Sequence, residues 1–162
     1  MNPTNPTNPT DQTDQTDQTG PMIKHQKLPK DITASLNDAI RYLDSRNEVV
    51  FAYLFGSLAK GAPSPLSDVD IAAYFREDVH LPEAKTEILC DLIDILNTDE
   101  IDFVVLNRAP LSLTMRMLEG RRVIVDHEPF LRHRFESLIM RQAFDFSRRE
   151  MQMLERRFLS GR

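Results

Sequence analysis

Hydrophobic positions change their spacing several times along the chain, and each change marks an element. From Asp31 onward, Ile32, Leu36, Ile40 and Leu43 recur every three or four residues, with Ala39 beside them. This predicts a first helix with Asp31 as its N-cap. The run from Val49 to Phe55 is apolar at every position and rich in β-branched and aromatic residues, as in a strand covered on both faces. It stops abruptly at Gly56-Ser57. After a proline-bearing loop, residues 62–67, polar and apolar residues alternate, so that Asp68 and Asp70 face one way while Val69 and Ile71 face the interior. Pro82 opens a second helix with apolar positions at Ile88, Leu89, Leu92, Ile93 and Leu96. A third strand runs from Ile101 to Asn107 with Asp102 set into it. A short helix follows from Pro110 to Glu119, closed by Gly120 at its C-terminal cap, and a last strand from Arg122 to Asp126. These alternating elements predict an α/β fold, a mixed sheet flanked by helices.

The segment from Pro129 to Arg162 reads as one long helix whose apolar residues fall on two faces. Leu131, Phe135, Leu138, Ile139, Ala143 and Phe146 form one; Met140, Phe144, Met151, Leu154 and Phe158 form the other. One face covers the sheet, and the second predicts a partner or self-association surface. With eight arginines against four acidic residues, the segment is basic and complementary to an acidic partner.

Residues 1–20 are three Asn-Pro-Thr and three Asp-Gln-Thr repeats closed by a glycine, with almost nothing apolar to bury, and are expected to be disordered. Residues 21–30 read as a linker. The chain thus divides into a tail (1–30), a folded domain (31–128) and a C-terminal helix (129–162). Its 162 residues suffice for one hydrophobic core. No apolar run approaches the ~20 residues of a membrane span, and the N-terminus lacks a signal-peptide layout. The net charge of −5 argues against direct nucleic-acid binding. The single cysteine, Cys90, is expected to be buried on the second helix, in keeping with a reducing cytoplasm. His25, His80, His127 and His133 show no metal-ligand spacing and are expected to be structural or surface residues.

Candidate chemistry gathers at the first strand's end. A glycine lets another group approach the backbone closely, and a serine opening a short helix offers its hydroxyl and nearby amides to a phosphate. Asp68 and Asp70, held side by side, repel each other unless a cation lies between them, and such hard oxygens suit magnesium bound together with phosphates. Either feature alone is commonly structural; together, in this order, they form a specific pattern.

The string Gly56-Ser57-Leu58-Ala59-Lys60-Gly61, then Ser67-Asp68-Val69-Asp70-Ile71, resembles the signature of the nucleotidyltransferase superfamily that includes DNA polymerase β, and in particular its minimal nucleotidyltransferase (MNT) branch. The resemblance covers roughly residues 31–126 and implies the polymerase β-like fold. It also implies ATP as co-substrate, with Gly56 and Ser57 holding the triphosphate. Asp68, Asp70 and Asp102 would be catalytic and would ligate two Mg2+ ions, Asp102 being the third acid such proteins carry on a later strand. Asp102 could also accept the proton of the attacking hydroxyl; its nearest rivals, Asp99 and Glu100, lie in the preceding turn. Lys60, Arg108, Arg116, Arg121 and Arg122 are left as cations that could meet a phosphate or a base. Members of the MNT branch usually act as antitoxins that transfer AMP to a tyrosine of a HEPN ribonuclease toxin, so the resemblance implies a cognate HEPN-type partner; the second apolar face of the last helix is where its docking is expected. Two alternatives stay open, a small-molecule nucleotidyltransferase of the aminoglycoside-modifying kind and an antitoxin that acts by binding alone.

Overall fold

The computed structural model describes residues 28–29, 31–61 and 67–159, with side chains as far as Met153. The expected disorder of residues 1–20, most of the linker, the loop at 62–66, and the side chains of Leu154 and Phe158 lie outside the described residues. The elements are α1 (Ile32–Ser45), β1 (Val49–Leu54), α2 (Gly56–Ala59), β2 (Val69–Phe75), α3 (Leu81–Leu96), β3 (Ile101–Val105), a 3-10 turn (Leu106–Arg108), α4 (Leu111–Leu118), β4 (Arg122–Asp126) and α5 (Pro129–Leu159). The strands form one sheet in the order β3-β2-β1-β4. β1 is antiparallel to both β2 and β4, and β2 is parallel to β3, so the sheet is mixed, as expected. The parallel pair exists because α3 forms the crossover that a parallel connection needs.

Every residue of β1 is buried, because it is a central strand with helices on both faces. Val49, Ala52 and Leu54 pack toward α1 and α3 together with Val69, Ile71, Ala73 and Phe75. Val50, Phe51 and Tyr53 pack toward α4 and α5. Val50 and Phe51 share a face because the register with β2 slips between Val49 and Phe51, a bulge that turns two successive side chains the same way. Across the first layer, Tyr42 of α1 donates to Asp91 of α3, and Arg46 reaches Glu87 at 2.8 Å.

Several expectations need correction. Asp31 does precede α1, but its side chain makes no cap hydrogen bond; its carbonyl oxygen accepts from Ala34 and Ser35 instead. Cys90 is exposed. The inward positions of α3 are Ala84, Ile88, Leu92 and Leu96, and a residue two past Ile88 lies about 200° round the helix. β3 ends at Val105, and the Asn107 side chain continues the ladder instead, accepting from Phe75 N–H and donating to Phe75 O, both at 2.9 Å. Gly120 is not a left-handed cap, since its φ is not positive and the C-cap of α4 is Glu119, whose N–H reaches the Met115 carbonyl.

The long C-terminal helix is present, but it packs on the sheet only through its first three turns. Leu131, Phe135 and Ile139 join the core face, whereas Leu138 is 45% and Phe146 60% exposed, against expectation. Length explains this. A 31-residue helix is about 46 Å long, while four strands side by side span only about 19 Å. Beyond Ile139 the helix runs past the sheet with one side still facing α4, where Ala143, Phe146 and Glu150 line a cleft with Leu111 and Met115, while Phe144, Met151 and Met153 stay uncovered.

Candidate active site

The end of β1 and the start of β2 form one corner. The Phe55 N–H donates to the Asp70 carbonyl at 3.0 Å, and the chain then turns at Gly56 with φ of +68°. Two constraints make this residue glycine. A side chain in the left-handed region costs about 1–2 kcal/mol, and a Cβ here would come within 2.8 Å of Asp70 Cγ and overlap its carboxylate. Gly56 therefore lets Asp70 lie directly against the turn. Ser57 follows in α2, which is only four residues long. So short a helix sums few peptide dipoles, and the turn can hold an anion only through individual amides and the Ser57 hydroxyl.

Asp70 is aligned with Asp102 across the parallel β2/β3 pair. Neighbouring parallel strands lie about 4.8 Å apart, and residues in register face the same side of the sheet. The buried Val69 and Ile71 occupy the α1/α3 side, so Asp70 and Asp102 share the side of α4 and α5. Asp68 precedes β2 by one residue and is half-buried, as is Asp70. Asp102 is exposed, because β3 is an edge strand. This is how the strand accommodates a carboxylate without desolvating it. Among the described residues no group of three His, Cys, Asp or Glu side chains is drawn together closely enough to hold a metal ion. The donor set nevertheless fits a divalent cation by its chemistry, with hard carboxylate oxygens contributed by adjacent strands beside a glycine that clears room for one of them.

Beside Asp70 lies a cleft of about 470 Å³, walled on one side by Phe55, Gly56 and Lys60 and on the other by Leu113, Arg116, Met117, Glu119 and Gly120. This is within the size range of small-ligand sites. The cleft sorts the five cations left open by the sequence. Lys60 and Arg116 line it. Arg108 and Arg122 are exposed elsewhere. Arg121 is committed to Glu136 of α5, at 2.9 Å.

Glu136 is the residue that sequence reasoning missed. It is 5% exposed and accepts from Tyr53 Oη at 2.8 Å, Arg121 Nε at 3.1 Å and Arg132 Nη1 at 3.1 Å. Arg132 also pairs with Asp126 at 3.0 Å. Burial alone would push the Glu136 carboxyl up, but the hydrogen bonds from Tyr53, Arg121 and Arg132 outweigh it, leaving the pKa below its ordinary value. Burial, with the carboxylate as partner, raises that of Tyr53. A charged residue within the inward stripe Leu131, Phe135 and Ile139, with Arg132 one turn before it, was the available signal. Three of the four histidines pair with acids, His80 with Glu83, His127 with Asp44 and His133 with Glu136, so none of these three is free for the site; His25 lies outside the described residues.

The sequence profile of the family Polymerase beta, Nucleotidyltransferase matches residues 37–129, more than half of the chain. The chain belongs to this family. The match takes in β1, the Gly56-Ser57 turn, all three aspartates and the cleft wall. No curated protein matches the sequence. Among solved structures, a toxin–antitoxin complex with AMP-PNP contains a chain similar to this one with a TM-score of 0.61 at 20% identity, covering 74% of this chain and 95% of that one. A chain from the complex of a tri-AMPylated Shewanella oneidensis HEPN toxin with its MNT antitoxin gives a TM-score of 0.58 at 17% identity, covering 76% and 96%. A chain of the toxin–antitoxin pair MntA–HepT gives 0.57 at 19% identity, covering 76% and 96%. At these identities the likeness establishes the fold, which is the polymerase β-like nucleotidyltransferase fold expected from the sequence.

Proposed function

We propose that this nucleotidyltransferase is the antitoxin of a toxin–antitoxin pair, acting in the cytoplasm as a protein adenylyltransferase. It would transfer AMP from ATP to a tyrosine hydroxyl of a helical HEPN-type ribonuclease toxin and so silence it. The observation that carries the reading is the register of Asp70 with Asp102 beside the Gly56-Ser57 turn. The family match and the toxin–antitoxin neighbours, one with an AMPylated HEPN toxin and one with a nucleotide analogue, support it.

Ser57 and the amides of the turn hold the triphosphate, and the cleft holds the nucleotide against Asp70. The toxin hydroxyl attacks the α-phosphorus in line, a P–O bond to AMP forms and pyrophosphate leaves. Asp68, Asp70 and Asp102 would hold Mg2+. Bound there, it would neutralise charge on the phosphates and lower the pKa of the attacking hydroxyl. Asp102, which is exposed to solvent, would take that hydroxyl's proton and pass it to water.

The toxin docks on the free half of α5. Phe144 and Phe146 are separated by about 200° around the helix, yet both are uncovered, at 72% and 60% exposure. A helix with apolar residues on opposite faces is stable when enclosed between other helices, which a helical partner supplies. Seven arginines against four acidic residues over Pro129–Leu159 select an acidic surface on that partner. Phe144→Asp with Met151→Asp should abolish co-purification of the toxin while shifting the thermal midpoint by less than about 3 °C, because surface positions change stability little. Retained co-purification would remove α5 as the docking site.

The reading is tested by incubating the protein with α-labelled ATP, magnesium and a lysate of its own cells. Label on a single protein band supports it. Label on a small molecule, or a co-purifying partner without label, overturns it.

A further inference from the structure

β3 is the strand with the least to hold it. It is an edge strand of five residues, and only Phe103 among them is buried. Its apolar residues Ile101, Phe103 and Val105 all turn to the α1/α3 layer, so a slip of two residues along β2 would still offer that layer an apolar side. Such a slip would carry Asp102 about 7 Å from its place opposite Asp70. The register that brings the two carboxylates together therefore needs a fastening that apolar patterning does not supply.

The fastening lies where the strands part. β2 runs to Phe75, two residues beyond Ala73, whose partner Val105 is the last residue of β3. Phe75 is fully buried, and the chain that should meet its N–H and C=O turns away at Leu106–Arg108. Buried backbone groups are costly to leave unpaired. The Asn107 side chain reaches back and meets both, its Oδ1 accepting from Phe75 N–H and its Nδ2 donating to Phe75 O, each at 2.9 Å. A side-chain amide carries an acceptor and a donor side by side, the same pair that the next stretch of strand would offer. At the other end Val69 N–H donates to Glu100 O at 2.9 Å. β3 is thus pinned by backbone at its entry and by one side chain at its exit.

We infer that Asn107 is a positioning residue for Asp102: by standing in for the next rung of the β2/β3 ladder, it holds the edge strand in the register that sets Asp102 opposite Asp70. This rests on the reading of Asp102 as a member of the site and adds to it the residue that keeps it there. Asn107 lies five residues from Asp102 along β3 and touches no reacting group, so it acts through the strand alone.

The test uses the full-length protein with Asn107→Ala. Amide exchange over residues 101–105 should speed up about tenfold or more, the size of one lost hydrogen bond, while the amides of β1 keep their protection. With Mn2+ as a paramagnetic probe, broadening of the Asp70 amide signal should persist and that of Asp102 should fall. In AMP transfer to the toxin, kcat should drop about tenfold to a hundredfold, since misplacement by an ångström is felt on this scale, with KM for ATP within about threefold. In an Asp102→Asn background the same substitution should cost less than about twofold, because it acts through a carboxylate already removed. Should the alanine variant fail to fold, Asn107→Asp, which keeps the bond from Phe75 N–H, is read in the same way. The inference is overturned if exchange over β3 or broadening at Asp102 is the same with and without the Asn107 side chain, or if the Asn107 and Asp102 losses multiply. A protein that labels no partner, but in which Asn107→Ala still loosens β3 and detaches Asp102 from Mn2+, would keep the positioning role and reject the adenylyltransferase reading; transfer that is indifferent to Asn107 would do the reverse.

Discussion

Asp70→Asn should reduce AMP transfer about 10³-fold, the scale on which removing one preorganised electrostatic group from an active site is felt. The side chain keeps its shape and loses its charge, so the protein should remain folded, with a thermal midpoint within about 4 °C of the natural one. Gly56→Ala reaches the same residue from the other side. The new methyl group must share space with the Asp70 carboxylate, and the backbone must hold a non-glycine residue at positive φ. The strain costs about 1–2 kcal/mol, while the displaced carboxylate loses the alignment that catalysis needs. Both variants should lose transfer, and only Gly56→Ala should also lose measurable stability. The check is the initial rate of label transfer from α-labelled ATP to the purified partner, read beside a thermal melt. Transfer by Asp70→Asn within tenfold of the natural rate would remove this carboxylate from the reaction.

Glu136→Ala should be the most destabilising single change on the α5 face. Removing one member of a buried ionic network strands the others, and the cost is typically about 3–5 kcal/mol. Here Tyr53, Arg121 and Arg132 would all lose an acceptor. For a chain of this size that is a fall on the order of 10 °C in thermal midpoint. The same network gives the protein a pH dependence with a defined sign. The folded-state pKa of Glu136 is depressed, so its contribution is complete above the ordinary glutamate value of about 4.3 and is lost as pH falls through the folded value. Glu136→Gln should therefore be less stable than the natural protein at pH 7, with the gap narrowing below about pH 4. Urea titrations at the two pH values measure both differences. Equal gaps at pH 7 and pH 3.5 would show that the carboxylate is not the charged partner of the two arginines.

The two effects are linked in space. Arg121, held by Glu136, follows Gly120, and Gly120 carries the Lys60 stem at the mouth of the cleft. The part of α5 that anchors the helix is thus one residue removed from the site's far wall, while Phe144, Met151 and Met153 of its distal part are exposed. Continuity with the anchored turns holds that distal part to the domain, since an isolated helix of about 12–15 residues is marginal in water.

The sequence by itself determined whatever depends on neighbours along the chain. Apolar spacing placed α1, β1, β2, α3 and β4 within a residue or two, because helix and strand periods are local properties. Gly56, Ser57, Asp68 and Asp70 were legible because one strand, one turn and the next strand carry them. Tertiary structure decided the rest. That Asp102 stands beside Asp70 follows from the parallel register that α3 imposes on β2 and β3, and no periodicity reports on register. The same holds for Lys60 and Arg116 as the cations of the cleft, for Arg121 as the mate of a buried carboxylate, and for Cys90 on the outer side of α3. Each depends on which surfaces meet, and a single chain's pattern records only that a surface exists. The two apolar faces of α5 were visible in the sequence; that the sheet is too narrow to cover the second half of the helix is decided by the assembly of only four strands side by side.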